Sequence, residues 1–266
     1  MDRDLKIALV QSELHWQKAA TNRAMFETLF QKIEPDTDVV VLPEMFTTGF
    51  TMHAATCAET MDGQTVAWIR IQAQHLKTHI CGSIIIQENK NYYNRLLWAT
   101  PDGKLHIYDK RHLFRMAGEH HTYAAGNRRL IVHVNGWKIC PFICYDLRFP
   151  VWIRAKKMNY DAAIFVANWP AKRSHFWKML LPARAVENQI FVIGVNRVGK
   201  DGNGFSYSGD STVIAPNGEI IAQHHHVSGV FTHLLSHKLL QESRENFPAW
   251  QDADDFELKA DPDADS

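Results

Sequence analysis

Three side chains with the chemistry of acyl transfer each follow a short apolar segment of the chain. Glu44 comes just after the apolar run 39–42, Lys110 follows a second strand-like segment, and Cys144 ends a third. In layered α/β folds, ligands bind at the ends of strands. A thiolate is a nucleophile, a carboxylate can take and return its proton, and an ammonium can stabilise an oxyanion. Together the three would form an acyl-transfer site.

Each of these side chains also has a plainer interpretation when it is taken alone. A cysteine at the end of a buried strand is usually a small core residue. A lysine or glutamate at a strand end is usually solvated. The spacing leaves both interpretations open, because the catalytic hypothesis requires that the three strand ends meet.

Apolar runs alternate with segments of helical period along the chain, and this alternation predicts how the three side chains are positioned. Strands are predicted at 6–10, 39–42, 80–86, 92–99, 130–134, 137–143, 162–167, 191–196, 211–215 and 219–222. Helices are predicted at 25–33, 66–76 and 176–188, with another from about residue 150. Such interleaving indicates an α/β fold or a layered α+β sandwich.

Composition excludes several classes of protein. The 266 residues are 45% hydrophobic, with 29 basic and 29 acidic side chains. This balance shows no basic stripe of the kind that binds nucleic acid. No apolar run approaches the roughly 18 residues of a membrane span, and the first residues lack the pattern of a signal peptide. We expect a cytoplasmic protein whose partner is a small molecule.

We expect neither a metal nor an organic cofactor. The sequence has no GxSxG, Walker A, GxGxxG or HExxH motif. Its adjacent histidines, at 120–121 and 224–226, would point to opposite faces of a strand and would chelate poorly. Without a signal peptide, the four cysteines are expected to be reduced thiols; they are Cys57, Cys81, Cys140 and Cys144.

The composition changes near residue 250. We interpret residues 1–250 as one domain and 251–266 as an acidic tail, because the last segment holds seven acidic side chains against one basic residue, Lys259. Such a segment is typically solvated and partly disordered. A tail that binds a partner protein is the alternative.

The segments around the three side chains resemble those of the nitrilase superfamily of carbon–nitrogen hydrolases. Glu44 lies in Leu-Pro-Glu-Met-Phe, Lys110 in Tyr-Asp-Lys-Arg-His-Leu-Phe and Cys144 in Ile-Cys-Tyr-Asp-Leu-Arg-Phe-Pro. Similar segments continue in order at 166–170, 183–189, 196–199 and 208–211. The resemblance implies a Cys–Glu–Lys triad. It also implies a second active-site glutamate, and Glu119 stands at the matching position.

The resemblance implies a four-layer αββα sandwich that forms a homodimer through a helical face. The sequence is most similar to the ω-amidase group, which hydrolyses the terminal amide of 2-oxoglutaramate or 2-oxosuccinamate through a cysteine thioester. Tyr145 and Asp146 follow the cysteine where true nitrilases tend to have Trp-Glu, which favours amide substrates. In the implied mechanism the Tyr145 N–H and Lys110 hold the oxyanion.

A monoamide of a dicarboxylic acid needs a cation for its free carboxylate. Arg148 is our first candidate, since its planar fork suits bidentate binding; the alternative is an arginine paired with Asp146 or Glu187. Arg173 is the second candidate, and the alternative for it is a plain surface charge. Trp169 is predicted either to line the pocket or to pack in the core.

Two other functions stay open. The protein could be a different amidohydrolase of the superfamily, such as an N-carbamoyl hydrolase, a deaminated-glutathione amidase or an aliphatic amidase. It could also be a non-catalytic binding module or thiol sensor. The intact set of Glu44, Lys110 and Cys144 argues against the second, because a module without catalysis need not keep all three.

Overall fold

The computed structural model describes residues 3–258, in which strands and helices alternate. The strands are β1 Leu5–Gln11, β2 Val39–Val41, β3 His79–Glu88, β4 Asn91–Ala99, β5 Leu105–Asp109, β6 Val132–Val134, β7 Trp137–Ile143, β8 Ala162–Ala167, β9 Phe191–Asn196, β10 Val198–Lys200, β11 Ser206–Ile214, β12 Ile220–His225 and β13 Gly229–Leu235. The α-helices are α1 Ala19–Phe30, α2 Ala54–Cys57, α3 Gln64–Leu76, α4 Pro150–Ile153, α5 Ser174–Asn188 and α6 His237–Asn246.

The strands form two sheets. The first has the order β13-β1-β2-β3-β4-β5, and the second has the order β10-β11-β9-β8-β7-β6, with β12 paired to β11. Strands β1, β2 and β3 are parallel to one another, as are β7, β8 and β9. Within each parallel set, the loops that follow the strands therefore leave from one edge of the sheet.

The side chains of β1 show how the layers are built. Ile7 and Leu9 pack into the core between the sheets, whereas Ala8 and Val10 pack against α1 and α3 outside the first sheet. This follows from the period-two alternation of a strand. Helix α5 packs its buried side on the second sheet. The order of layers is helix, sheet, sheet, helix, and the predicted αββα sandwich is confirmed.

The helix predicted from residue 150 is a single turn, α4. Its chain leaves the helical region at Arg154, where ψ is 122°. In the first part of the predicted tail, Asp255 lies 2.8 Å from Lys156. The rest of that tail, from residue 259, lies outside the described residues, so its disorder and the domain boundary at 250 stay predictions. Among residues 3–258, no helix has the length and apolarity needed to cross a membrane.

Candidate active site

Cys144 occupies a strained position at the end of β7. It is the first residue of a short 3₁₀ turn, Cys144–Arg148, and its φ is +44°. A residue with a Cβ pays for this left-handed conformation, so the surrounding structure must hold it in place. The turn presents the half-buried thiol to a cavity instead of burying it in the strand.

Lys110 lies between two buried carboxylates beside this thiol. Its Nζ is 2.9 Å from Oε1 of Glu44 and 2.9 Å from Oε1 of Glu119. All three side chains are almost completely buried. The ends of β2, β5 and β7 thus bring Glu44, Lys110 and Cys144 together, and a loop after β5 adds Glu119.

Glu44 is held from two further strands. Asn94 of β4 donates to its Oε1 at 2.8 Å, and the backbone N–H of Asn168, just past β8, donates to its Oε2 at 2.8 Å. The Asn168 side chain donates to the backbone carbonyl of Glu44. These bonds fix the carboxylate before any substrate arrives.

Burial and mutual charge set the protonation of the cluster. Burial disfavours the ammonium of Lys110, but the charges of Glu119 and Glu44 outweigh it and raise the pKa of Lys110. Burial raises the pKa of Glu119 despite the charge of Lys110. Burial and then the charge of Glu44 raise the pKa of Cys144 well above its ordinary value. The resting state is therefore a thiol beside an ammonium, and the thiol needs a base to become a nucleophile.

The cavity in front of these groups has a volume of about 430 Å³. We call the part of the cavity lined by Glu44, Lys110 and Cys144 its buried end, and the part lined by Arg148, Lys172 and Arg173, which are half-buried or exposed, its exposed end. Seven Phe, Trp and Tyr side chains line it: Trp16, Phe50, Phe114, Tyr145, Trp169, Phe205 and Tyr207. A small polar molecule with an amide at one end and an anion at the other matches this polarity.

Arg148 lines this cavity. Its guanidinium carbon lies 4.4 Å from the ring centre of Phe176 and 5.6 Å from that of Trp169. The carboxylates considered as partners are engaged elsewhere: Asp146 with His112, and Glu187 with Arg184. The alternative of an ion pair with either one is wrong, and within residues 3–258 no carboxylate lies within 4 Å of Arg148.

The other predicted contacts also lie at the cavity. Arg173 stacks over Phe114 at 5.1 Å and is partly buried, so it is more than a surface charge. Trp169 does both things predicted for it: it lines the cavity and packs against Trp177 at 5.5 Å. The ring of Tyr145 packs edge-on against Phe114 at 5.0 Å.

The carbon–nitrogen hydrolase family model matches residues 6–245. The chain belongs to the carbon–nitrogen hydrolase family. It is 51% identical over 256 residues to the omega-amidase YafV of Escherichia coli, with 96% of this chain and 98% of that protein covered. It is 32% identical over 250 residues to the 2-oxoglutaramate amidase of Bacillus subtilis, with 92% and 96% covered.

A solved CN-hydrolase superfamily protein from Xanthomonas campestris has the same fold. It is 48% identical, with a TM-score of 0.95, and the match covers 97% of this chain and all of that one. That crystal structure is described with an arsenic adduct in its active site. The predicted family, the similarity to the ω-amidase group and the class of enzyme, an amide hydrolase, are confirmed.

Sequence reasoning missed several residues of this carbon–nitrogen hydrolase site. Asn94, Phe50 and Lys172 were not predicted, and Phe114 and Asn168 stand only within segments that resemble the family. Asn94 is fully buried but left no local signal, since Asn91 and Arg95 of the same strand are polar as well. Phe50 and Phe114 lie on loops and Lys172 lies in a single 3₁₀ turn, Ala171–Arg173, where no periodicity marks them.

Proposed function

We propose that this carbon–nitrogen hydrolase is an ω-amidase, which converts 2-oxo dicarboxylate monoamides such as 2-oxoglutaramate and 2-oxosuccinamate into the 2-oxo acid and ammonia. The names of its relatives from E. coli and B. subtilis support this. The observation that carries it is a single cavity with a buried Glu44–Lys110–Glu119 cluster beside Cys144 and cationic side chains at the other end.

The first half of the reaction forms a thioester. Glu44 takes the proton of the Cys144 thiol, and the sulfur attacks the amide carbon. The oxyanion of the tetrahedral intermediate is stabilised by the Lys110 ammonium and the Tyr145 N–H, since the first amides of a helical turn have no acceptor within it. Glu44 passes the proton to the amide nitrogen, the C–N bond breaks, and ammonia leaves.

The second half of the reaction hydrolyses the thioester. Glu44 takes a proton from water, the resulting hydroxide attacks the acyl carbon, and Lys110 again faces the oxyanion. The C–S bond breaks and the proton held by Glu44 returns to the sulfur. Glu119 does not exchange a proton in this scheme; it keeps the Lys110 ammonium charged and in place.

Arg148 binds the carboxylate at the far end of the substrate, and Arg173 assists. An arginine fork binds a carboxylate through two parallel hydrogen bonds. Arg148 suits this role because aromatic rings support its guanidinium and no carboxylate of residues 3–258 lies within ion-pair distance of it. Amides without that carboxylate lose the contact, which separates ω-amidase activity from general aliphatic amidase activity.

The test is ammonia release from 2-oxoglutaramate by the wild type and by Cys144→Ala, with Cys57→Ala as a matched cysteine control. We expect rapid release by the wild type and Cys57→Ala, and none by Cys144→Ala with the fold intact. N-carbamoyl amino acids, deaminated glutathione and a simple aliphatic amide are assayed in parallel. Faster hydrolysis of any of these would overturn the substrate assignment, and release by Cys144→Ala would overturn the thioester route.

We further propose that a second copy of the chain packs on the exposed side of α5. Phe176, Met179, Ala183 and Val186 form a stripe at intervals of three and four residues, and Met179 and Val186 are 68% and 53% exposed. Phe176 also covers Arg148, so the interface would border the carboxylate site. Sedimentation should give a dimer for the wild type and a monomer for Met179→Lys. A monomeric wild type would contradict this interface.

A further inference from the structure

A buried carboxylate lies behind the active site without lining its cavity. Asp146, two residues after Cys144, is fully buried and both of its oxygens accept hydrogen bonds. Oδ2 accepts from the Tyr108 hydroxyl at 2.6 Å and the Ile143 N–H at 3.1 Å. Oδ1 accepts from the N–H of His112 at 3.0 Å and from its ring Nδ1 at 2.8 Å.

The donors come from the two segments that carry Lys110 and Cys144. Tyr108 and His112 lie two residues on either side of Lys110, and Ile143 directly precedes Cys144. β5 is the last strand of the first sheet and β7 belongs to the second. One carboxylate thus joins the two sheets at the point where the active site needs them aligned.

The turn that Asp146 holds is the strained one. Cys144 keeps its φ of +44° only because neighbouring contacts are worth more than the strain. The carboxylate bonds the residue before Cys144 and the segment around Lys110. Without those bonds the turn is free to relax, and the thiol moves relative to Lys110 and Glu44.

The ring of His112 is itself fixed. It stacks on Phe149 with ring centres 3.8 Å apart and an angle of 6° between the planes. A carboxylate oxygen accepts hydrogen bonds, so this contact fits the His112 tautomer that carries its proton on Nδ1. The stacked ring therefore braces the carboxylate from outside the cavity.

We propose that Asp146 is a positioning residue, which locks the Cys144 turn to the Lys110 segment and so keeps the nucleophile in register with the charges that activate it. The proposal rests on Cys144 being the nucleophile of the proposed function and does not depend on which amide is the substrate.

The test compares Asp146→Asn with Asp161→Asn. Asp161 is a matched control: it is a poorly exposed carboxylate that accepts from Lys138 N at 2.9 Å and from Arg244 at 2.7 Å. It precedes β8, and the six residues of that strand place it about 20 Å from the active-site edge of the sheet. Both variants lose structural hydrogen bonds, but only one of them lies next to the nucleophile.

Two quantities are measured. For Asp146→Asn we expect kcat to fall at least tenfold while KM changes less than threefold, because misplacement of a reacting group by about 1 Å can cost a factor of ~100. We also expect iodoacetamide at pH 8 to label Cys144 at least fivefold faster relative to Cys57, since a relaxed turn exposes the thiol to water. Asp161→Asn should change neither quantity.

Either quantity within twofold of its Asp161→Asn value overturns the proposal and makes Asp146 merely structural. If Asp146→Asn does not fold, Tyr108→Phe removes one of the four bonds and should lower kcat at least threefold with the same rise in labelling; a kcat and labelling ratio equal to wild type would overturn it. Labelling needs no substrate. A failed 2-oxoglutaramate assay therefore rejects the proposed substrate, whereas an unchanged labelling ratio rejects the role of Asp146.

Discussion

The two ends of the cavity differ in how the charges of their cations are balanced. At the buried end, Lys110 is flanked at 2.9 Å by Glu44 and Glu119, and the protein itself supplies each counter-charge. At the exposed end, Arg148 and Arg173 lie over aromatic rings, and no carboxylate in residues 3–258 is within 4 Å of either guanidinium. The cation at the buried end therefore has its counter-charges without a ligand, whereas the two arginines at the exposed end do not.

This difference separates the groups proposed to react with the amide from the groups proposed to select the substrate. Buried charges are tolerated only when they are paired and hydrogen-bonded, so the groups proposed to act on the amide must be built into the fold. A half-buried arginine is solvated in the free enzyme, and a substrate carboxylate can displace that water when it binds. Substitutions at the buried end should therefore lower kcat and stability, whereas those at the exposed end should raise KM.

The largest effect is expected for Lys110→Met, which keeps the length of the side chain and removes its charge. Glu44 and Glu119 would then face each other without a cation. We expect kcat/KM to fall at least ~1000-fold, because the proposed oxyanion loses its charged partner. Breaking a buried ion pair costs about 3–5 kcal/mol of unfolding free energy. Steady-state rates and urea unfolding measure the two.

The pH dependence of unfolding tests the cause. Burial already raises the pKa of Glu119, and loss of the Lys110 charge raises it further. A carboxyl whose folded pKa exceeds its unfolded value stabilises the fold at low pH and stops doing so as pH rises through the folded pKa. The loss of unfolding free energy in Lys110→Met, relative to the wild type, should thus grow from pH 5 to pH 8. Lys104→Met is the control, since within residues 3–258 that exposed lysine forms an ion pair only with Asp102, and its loss should change neither rate nor unfolding midpoint.

The next effect is expected for Glu44→Gln, which removes the proposed base and keeps the shape of the side chain. Hydrolysis should fall by about 10²–10⁴. Burial and then the Glu44 charge raise the pKa of Cys144, so loss of that charge should lower it and shift the pH profile of thiol labelling to lower pH. Cys144 should become easier to alkylate while it stops turning over. Slower labelling than in the wild type, or more than a tenth of the wild-type rate, would contradict this role of Glu44.

The residues that the sequence could predict are mostly those at the ends of strands. Glu44, Lys110 and Cys144 each follow a strand, and strand periodicity is a local pattern that sequence carries well. Glu119 was predicted only from the family resemblance, since a glutamate in a loop has no periodic signal. Short local segments predict these residues, and in the structure the strand ends that carry Glu44, Lys110 and Cys144 meet.

The contacts between segments far apart in the chain could not be predicted from the sequence. Asn94 reaches Glu44 across 50 residues, and His112 reaches Asp146 across 34. The sequence left two carboxylates open as partners of Arg148, Asp146 and Glu187, and only the structure shows that other side chains engage both. Which partner a charged group takes depends on the three-dimensional neighbours, and no local pattern encodes them.

At the exposed end, Arg148→Met should raise KM for 2-oxoglutaramate by about 10–100-fold, with kcat changed less than threefold. A hydrogen-bonded charged contact contributes about 1.5–3 kcal/mol, which corresponds to that range. An aliphatic monoamide without a carboxylate should be hydrolysed at the same rate by variant and wild type. A matched control is Arg154→Met, whose guanidinium donates to the Glu187 carbonyl and does not line the cavity. An equal loss on the neutral amide would mean that Arg148 supports the pocket wall instead of the carboxylate.

The smallest effect is expected for Arg173→Met, a threefold to tenfold rise in KM for 2-oxoglutaramate. Arg173 stacks on Phe114, whereas Arg148 lies over Phe176 and Trp169, so the two cations rest on different aromatic rings. If both bind one carboxylate, their effects are coupled, and the double variant should lose less than the product of the single losses. If Arg173 only draws anions toward the cavity, its effect should be independent of Arg148 and should vanish at high salt. The double-variant KM, measured at low and high ionic strength, therefore shows whether the exposed end holds one carboxylate site with two cations or one cation with a charged entrance.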